Sequence, residues 1–290
     1  MKKLFDPRIM LITSMGIFGT ISVFVRNIPL SSGEIALYRA VLAAILIGIY
    51  LLVTKQKISF TNAKKELVLL LLSGMAMGIN WILLFEAYNH TTVSSATLSY
   101  YFAPVIVILL SPIIFREKMS LKQIICFVMS TLGIVMITGI GGTSGTNIIG
   151  ILMGLGAACF YATVILLNKF IKGIHGIHRT FLQFIAAIIT LIPYVLLTSG
   201  VNVGTLNTKG WICLLIVGLI HTGITYCLYF SSIKELSGQK AAILSYIDPL
   251  VAVVISVTLL KEAITVWQII GGVLILSFTL WNELPQKKKR

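Results

Sequence analysis

The sequence predicts an all-α, polytopic membrane protein: ten transmembrane helices in two inverted five-helix repeats, with both termini cytoplasmic. Three observations predict it. The apolar residues form long blocks, the basic residues crowd into alternate connections, and the chain resembles itself at an offset of 145 residues.

Composition sets the class. Of 290 residues, 57% are hydrophobic and 11% charged, with a mean hydropathy of +0.98. A soluble domain carries about 25% charged residues, so this chain lacks the polar groups to cover a water-facing surface. Long blocks, rather than alternating residues, indicate helices and not a β-barrel. The net charge of +14 sits in short connections, without a basic face interleaved with aromatics, so nucleic acid is not an expected partner. Cys126, Cys159, Cys213 and Cys227 all lie inside apolar blocks without CxxC spacing. No disulfide framework, metal site or cofactor is expected from them.

A spanning helix needs about 20 apolar residues. The blocks run over 8–26, 34–53, 67–86, 93–114, 121–140, 148–169, 180–198, 209–231, 240–260 and 265–282. The first starts close behind Lys2 and Lys3, lacks a small-residue cleavage site and reads as a retained helix. The Gly141–Gly145 loop joins the halves 1–145 and 146–290. With the N-terminus inside, 19 of the 23 Lys and Arg residues fall on the cytoplasmic side. Only Arg26, Arg39, Lys209 and Lys261 lie nearer the outside, a strong positive-inside bias. The terminal Lys287–Arg290 run fixes topology and meets anionic lipid.

At the 145-residue offset Gly78 matches Gly223, Phe85 matches Phe230, Tyr101 matches Tyr246 and Pro104 matches Pro249. Glu117 matches Glu262, and Gln123-Ile124-Ile125 matches Gln268-Ile269-Ile270. A repeat of five spans enters the membrane in the opposite sense the second time. Two such copies give inward- and outward-open states of comparable energy, as in many secondary transporters. There is no GxxxxGK[ST] nucleotide loop, so a gradient must drive any transport. A channel would call for a charge ring or a carbonyl filter. A membrane-embedded enzyme would call for a clustered nucleophile and base. Neither pattern is present.

Several residues are candidates for a site. Asp248 lies eight residues into the ninth span, opposite Ala103 in the repeat, and suits a cation, an ammonium group or a transported proton. Pro104 and Pro249 are matched helix breaks that point to a central site. His221 titrates near neutral pH and is a candidate for binding or coupling, against the commoner role of a hydrogen-bonded packing residue. Asn80 and Trp81 correspond to Thr225 and Tyr226, and Tyr101 to Tyr246. Together they would line a pocket for a small amphipathic ligand. Arg39, with Glu34, Glu86 and His90 near the same face, is expected in an outer salt bridge or gate, and second as a partner for a substrate carboxylate. Glu117 and Glu262, beside basic residues, read as structural pairs. The GxxxG spacings at Gly74/Gly78 and Gly150/Gly154 allow close helix approach.

Tyr-x-x-Pro in the fourth and ninth spans is followed by Phe115-Arg116-Glu117-Lys118 and Leu260-Lys261-Glu262-Ala263, then by helices carrying Gly133 and Gly271-Gly272. With Tyr38-Arg39-Ala40, this resembles the drug/metabolite transporter superfamily, specifically its ten-span EamA-type members, over the whole chain. The second half departs in carrying Gln183 at the level of Arg39. The resemblance implies a multi-pass carrier in the cell membrane, exporting or exchanging small molecules such as amino acids. An organic-cation or drug exporter is the alternative. The expected partners are the substrate, protons and membrane lipid, and a monomer is expected.

Overall fold

The computed structural model describes residues 6–56, 63–115, 119–139, 147–174, 176–233, 235–236 and 244–284. Lys2, Lys3, Lys57, Arg116, Glu117, Lys118, the Gly141–Gly145 loop, Lys234, Lys240, Ala241 and Lys287–Arg290 lie outside the described residues. Every regular element among the described residues is helical.

Local chemistry sets the helix starts. Helix α1 (Pro7–Gly19) begins with Pro at its first position and Asp6 as the cap, whose Oδ1 accepts the Arg8 N–H at 2.8 Å. It breaks at Thr20 and resumes as α2 (Ile21–Val25). Helix α3 (Ser32–Val53) opens with a capping box between Ser31 and Glu34. Helix α4 (Ala63–His90) is followed by α5 (Val93–Tyr100), capped by Thr92, and α6 (Ala103–Phe115). Then come α7 (Leu121–Gly139), α8 (Ile148–Phe170) capped by Asn147, and α9 (Gly176–Thr198). Helix α10 (Thr208–Leu215) runs into a π-helical segment, Ile216–Ile224, and on into α11 (Thr225–Ile233). Helices α12 (Ile247–Thr258) and α13 (Val266–Glu283) are the last among the described residues.

Among the described residues, seven helical stretches are long and apolar enough to cross a membrane: Pro7–Val25, Ser32–Val53, Glu66–His90, Val93–Ser111, Ile148–Phe170, Gly176–Thr198 and Thr208–Ser232. They fall in seven of the ten apolar blocks. The other three blocks hold shorter apolar helices, Leu121–Ile137, Ile247–Thr258 and Val266–Asn282. The ninth is shortened by the turn at Tyr246, just before Asp248 and Pro249.

Helix α4 lies along α8 and α9, α3 packs on α9 and the π-helical segment, α1 on α11 and α12, and α7 on α13. The α7–α13 crossing is made by glycine. A Cβ on Gly271 would sit 2.4 Å from the Gly133 carbonyl oxygen, and one on Gly133 would sit 2.6 Å from that of Gly271. Gly150 of α8 likewise meets Thr91 with no room for a side chain, and Gly154 packs closely on Ser99 and Ala96. The buried stripe of α3 is Ala36, Ala40, Ala43, Ala44 and Ile47, whereas Leu52 and Leu197 stand 78% and 85% exposed. That inversion of the usual soluble surface is what lipid contact requires.

Polar groups tie the ends of the bundle. At one end Glu34 accepts the Asn202 backbone N–H at 2.6 Å, and Ser31 bonds Ser199 at 2.9 Å. At the other, Glu66 accepts the Gly173 N–H at 2.9 Å, and Lys122 Nζ donates to the carbonyls of Asn282 and Leu284.

Candidate functional site

Asp248 occupies the first turn of α12, and Tyr101 lies in the break between α5 and α6. The Tyr101 hydroxyl donates to Asp248 Oδ2 at 2.5 Å, joining residues 147 positions apart. Both side chains are half-buried rather than sealed. Pro104 and Pro249 each stand in the first helical turn after a break, where a missing N–H costs little. The prolines therefore mark helix restarts rather than kinks within continuous helices. Tyr246 forms the turn immediately before α12, next to Asp248 in the chain. Tyr100 stacks on Tyr161 with centroids 5.3 Å apart and meets Tyr101 edge-on at 5.8 Å.

A second cluster surrounds Arg39. It is 3% exposed, its Nε donates to Thr222 Oγ1 at 3.1 Å, and its guanidinium carbon lies 4.5 Å from the Trp81 ring centroid and 5.2 Å from that of Phe85. Trp81 meets Phe184 at 5.4 Å, Phe184 meets Tyr226 at 5.4 Å, and Tyr226 meets Phe18 at 5.2 Å. This aromatic wall runs from α4 through α9 to α11 and α1. Trp81, Phe85, Tyr88 and Phe184 pack in one cluster with Tyr100 and Tyr226, and Tyr100 meets Tyr101, so the two clusters border one region.

The π-helical segment explains how Thr222 meets Arg39. Its turns carry an extra residue, and the hydroxyls follow them. Thr222 donates to the Val217 carbonyl and Thr225 to that of Ile220, both at 2.7 Å and five residues back. His221, 2% exposed, has Nε2 2.8 Å from Thr20 Oγ1 and Nδ1 3.3 Å from the Ile216 carbonyl. A carbonyl only accepts, so Nδ1 faces Ile216 as a donor, while Nε2 is partnered by the Thr20 hydroxyl, which also donates to the Ile17 carbonyl at 2.8 Å.

The sequence-derived candidates thus separate. Tyr101 and Asp248 are in direct contact, as are Arg39 and Trp81. Asn80 spends its Nδ2 on the Ala157 carbonyl at 2.7 Å, tying α4 to α8. Glu86 lies away from Arg39, bonded to Ser32 at 2.5 Å and His90 at 3.1 Å. Arg39 faces inward and forms no ion pair with Glu34 or Glu86 among the described residues. The Gln183 amide nitrogen is occupied by Ser73 at 2.5 Å and Asn168 at 2.9 Å. Phe184 and Thr20 were not legible as site residues, because their partners come from helices remote in sequence. Among the described residues no three His, Cys, Asp or Glu side chains gather as a metal site.

The family model described as the EamA-like transporter family matches residues 8–139 and 148–282. The uncharacterized transporter YxxF of Bacillus subtilis is 33% identical over 270 residues, covering 92% of this chain and 86% of that protein. An uncharacterized transporter of Archaeoglobus fulgidus is 30% identical, covering 68% of this chain and 70% of its own. A solved crystal structure shares the fold, with a TM-score of 0.63 at 13% identity, over 95% of this chain and 96% of its own.

Proposed function

This chain belongs to the EamA-like transporter family, and on that footing we propose that it is a secondary-active carrier of a small amphipathic metabolite, exporting or exchanging amino acids or related molecules by alternating access. It is a multi-pass membrane protein with a transporter role. The finer reading has ten spans, with halves 1–145 and 146–290 as inverted repeats and both termini in the cytoplasm.

The helix pairings support the inverted repeat. Number the apolar blocks one to ten and exchange each with the block five further on. The packing of α4 on α8 and α9 then becomes that of α11 and the π-helical segment on α1 and α3. The packing of α1 on α12 becomes that of α8 on α5 and α6, and α7 with α13 maps onto itself. Such an arrangement has two related ways to close.

The observation that carries the function is the Tyr101–Asp248 bond. It joins the two halves at matched helix breaks, where an ionisable group at membrane depth calls for a functional reason. Asp248 would bind the ammonium group of a substrate or carry the exchanged proton. An organic cation is the second reading, favoured by the tyrosines around Asp248. Purified protein in liposomes, preloaded with each member of a panel of amino acids and organic cations, tests the proposal. Saturable uptake accelerated by internal substrate is the expected result. Uptake that rises linearly and ignores internal substrate would indicate a channel instead.

A further inference from the structure

We infer that Arg39 is the recognition point for a substrate carboxylate, so that the substrate is a zwitterion spanning Arg39 and Asp248. The inference rests on the transport reading above and narrows it to substrates bearing an acidic group.

A guanidinium is always charged and presents five N–H donors in a planar fork. At 3% exposure it calls for a counter-charge. Six acidic side chains among the described residues are engaged away from it. Asp6 caps α1, Glu34 binds Asn202, Glu66 binds the Lys172–Gly173 backbone, Glu86 binds Ser32 and His90, and Glu262 binds Arg26. Asp248 takes the Tyr101 hydroxyl. Among the described residues Arg39 has no carboxylate within ion-pairing distance, and its one hydrogen bond leaves from Nε. The two Nη groups, which complete the fork that grips a carboxylate in bidentate fashion, have no hydrogen bond among the described residues.

What surrounds the guanidinium orients it without neutralising it. Thr222 holds Nε, and Trp81 and Phe85 present their rings. Cation–π contacts offset part of the cost of burial while leaving the fork free. Gln183, one residue before Phe184, the position that the 145-residue offset pairs with Arg39, shows the contrasting case. Its amide nitrogen is spent on Ser73 and Asn168, a structural role. Arg39 and Asp248 are not paired with each other, yet Trp81 and Phe85 beside Arg39 pack in one cluster with Tyr88, Tyr226 and Tyr100, and Tyr100 meets Tyr101, the partner of Asp248. Two opposite charges held apart around one aromatic region match a molecule carrying both charges. An α-amino acid is the smallest such molecule, with its carboxylate on Arg39 and its ammonium on Asp248.

The test compares acids with analogues lacking the acid. Wild-type protein in liposomes is offered the twenty amino acids, the amide and decarboxylated amine of each one taken up, and ethidium as an organic cation. Amino acids are expected to exceed their amides by about 30-fold in apparent affinity, the size of one charge-assisted contact. In Arg39→Gln the acid should fall to the level of its amide while the amide is unchanged. Arg39→Lys, keeping the charge but losing the fork, should retain an intermediate preference. A residue that merely braces the π-helical segment would lower acid and amide together, which would overturn the assignment. Equal uptake of acid and amide by wild type overturns it without any variant. So does a preference that survives in Arg39→Gln, or uptake of ethidium but of no amino acid, and each of these leaves the transport reading standing. Uptake of no compound by folded protein overturns both.

Discussion

Arg26 Nη1 donates to Glu262 Oε1 at 2.5 Å across 236 residues of sequence. The same carboxylate accepts the Val93 N–H at 2.8 Å and the Ser256 hydroxyl, and Arg26 Nη2 reaches the carbonyls of Tyr88 and Thr91. One ion pair therefore joins the exit of α2, the α4–α5 turn and the α12–α13 connection. The pair is only partly exposed, at 27% for Arg26 and 12% for Glu262, so solvent weakens it without cancelling it. Glu262→Ala should lower stability by about 2 kcal/mol, because the Val93 N–H also loses its acceptor. Arg26→Ala should act similarly, and the double variant should fall short of the sum by about 1 kcal/mol in thermal unfolding in detergent. Simple additivity would mean that the pair is idle.

Asp248 and Tyr101 make a second prediction. If Asp248 carries the exchanged proton, an outside-acid gradient accelerates export by wild type and has no effect on Asp248→Asn. Tyr101→Phe keeps the carboxylate and loses one charge-assisted bond, so transport should slow by about tenfold, with the gradient response retained. The readout is flux with and without an imposed pH gradient. A gradient response preserved in folded Asp248→Asn would remove the residue from coupling.

The helices were legible in the sequence because hydropathy is a local signal; their caps went unread. Ser31 and Glu34, or Thr265 and Gln268, stand three residues apart and close the capping boxes that the structure contains. The Tyr101 and Tyr246 positions were legible through the repeat, and both fall at helix breaks. The environment of Arg39 was not. Its depth in the second span invited a reading with Glu34 and Glu86, on the expectation that all three share the outer face. In the structure Glu34 is used by its own cap and Asn202, and Arg39 turns to Thr222, 183 residues away. The π-helical segment that brings Thr222 there has no signature in the sequence distinguishable from ordinary helix. Long-range pairing of single side chains is where periodicity ceases to inform.

The contact between His221 and Thr20 tests whether the π-helical segment needs an anchor. With Nδ1 on the Ile216 carbonyl and Nε2 against the Thr20 hydroxyl, neither ring nitrogen is left for a ligand. Thr20→Val should cost about 1 kcal/mol of stability, and His221→Gln a similar amount. Both should keep the pH response of transport. A pH profile displaced in His221→Gln but not in Thr20→Val would instead make the imidazole itself a coupling group.

The α7–α13 crossing gives the last prediction, and it has an internal control. A methyl at Gly271 would lie 2.4 Å from the Gly133 oxygen, a backbone atom that moves only if the helices part. Gly271→Ala should therefore destabilise by about 1–3 kcal/mol despite the better helix propensity of alanine. Gly16, within α1, has nothing within 4 Å of the place its methyl would take. There Gly16→Ala should be neutral or stabilise by up to about 1 kcal/mol, since only the propensity gain remains. Opposite signs in thermal unfolding would show that backbone contact sets the crossing distance. Equal stabilisation of both would mean that α7 and α13 can separate freely, and that the glycines serve some end other than close approach.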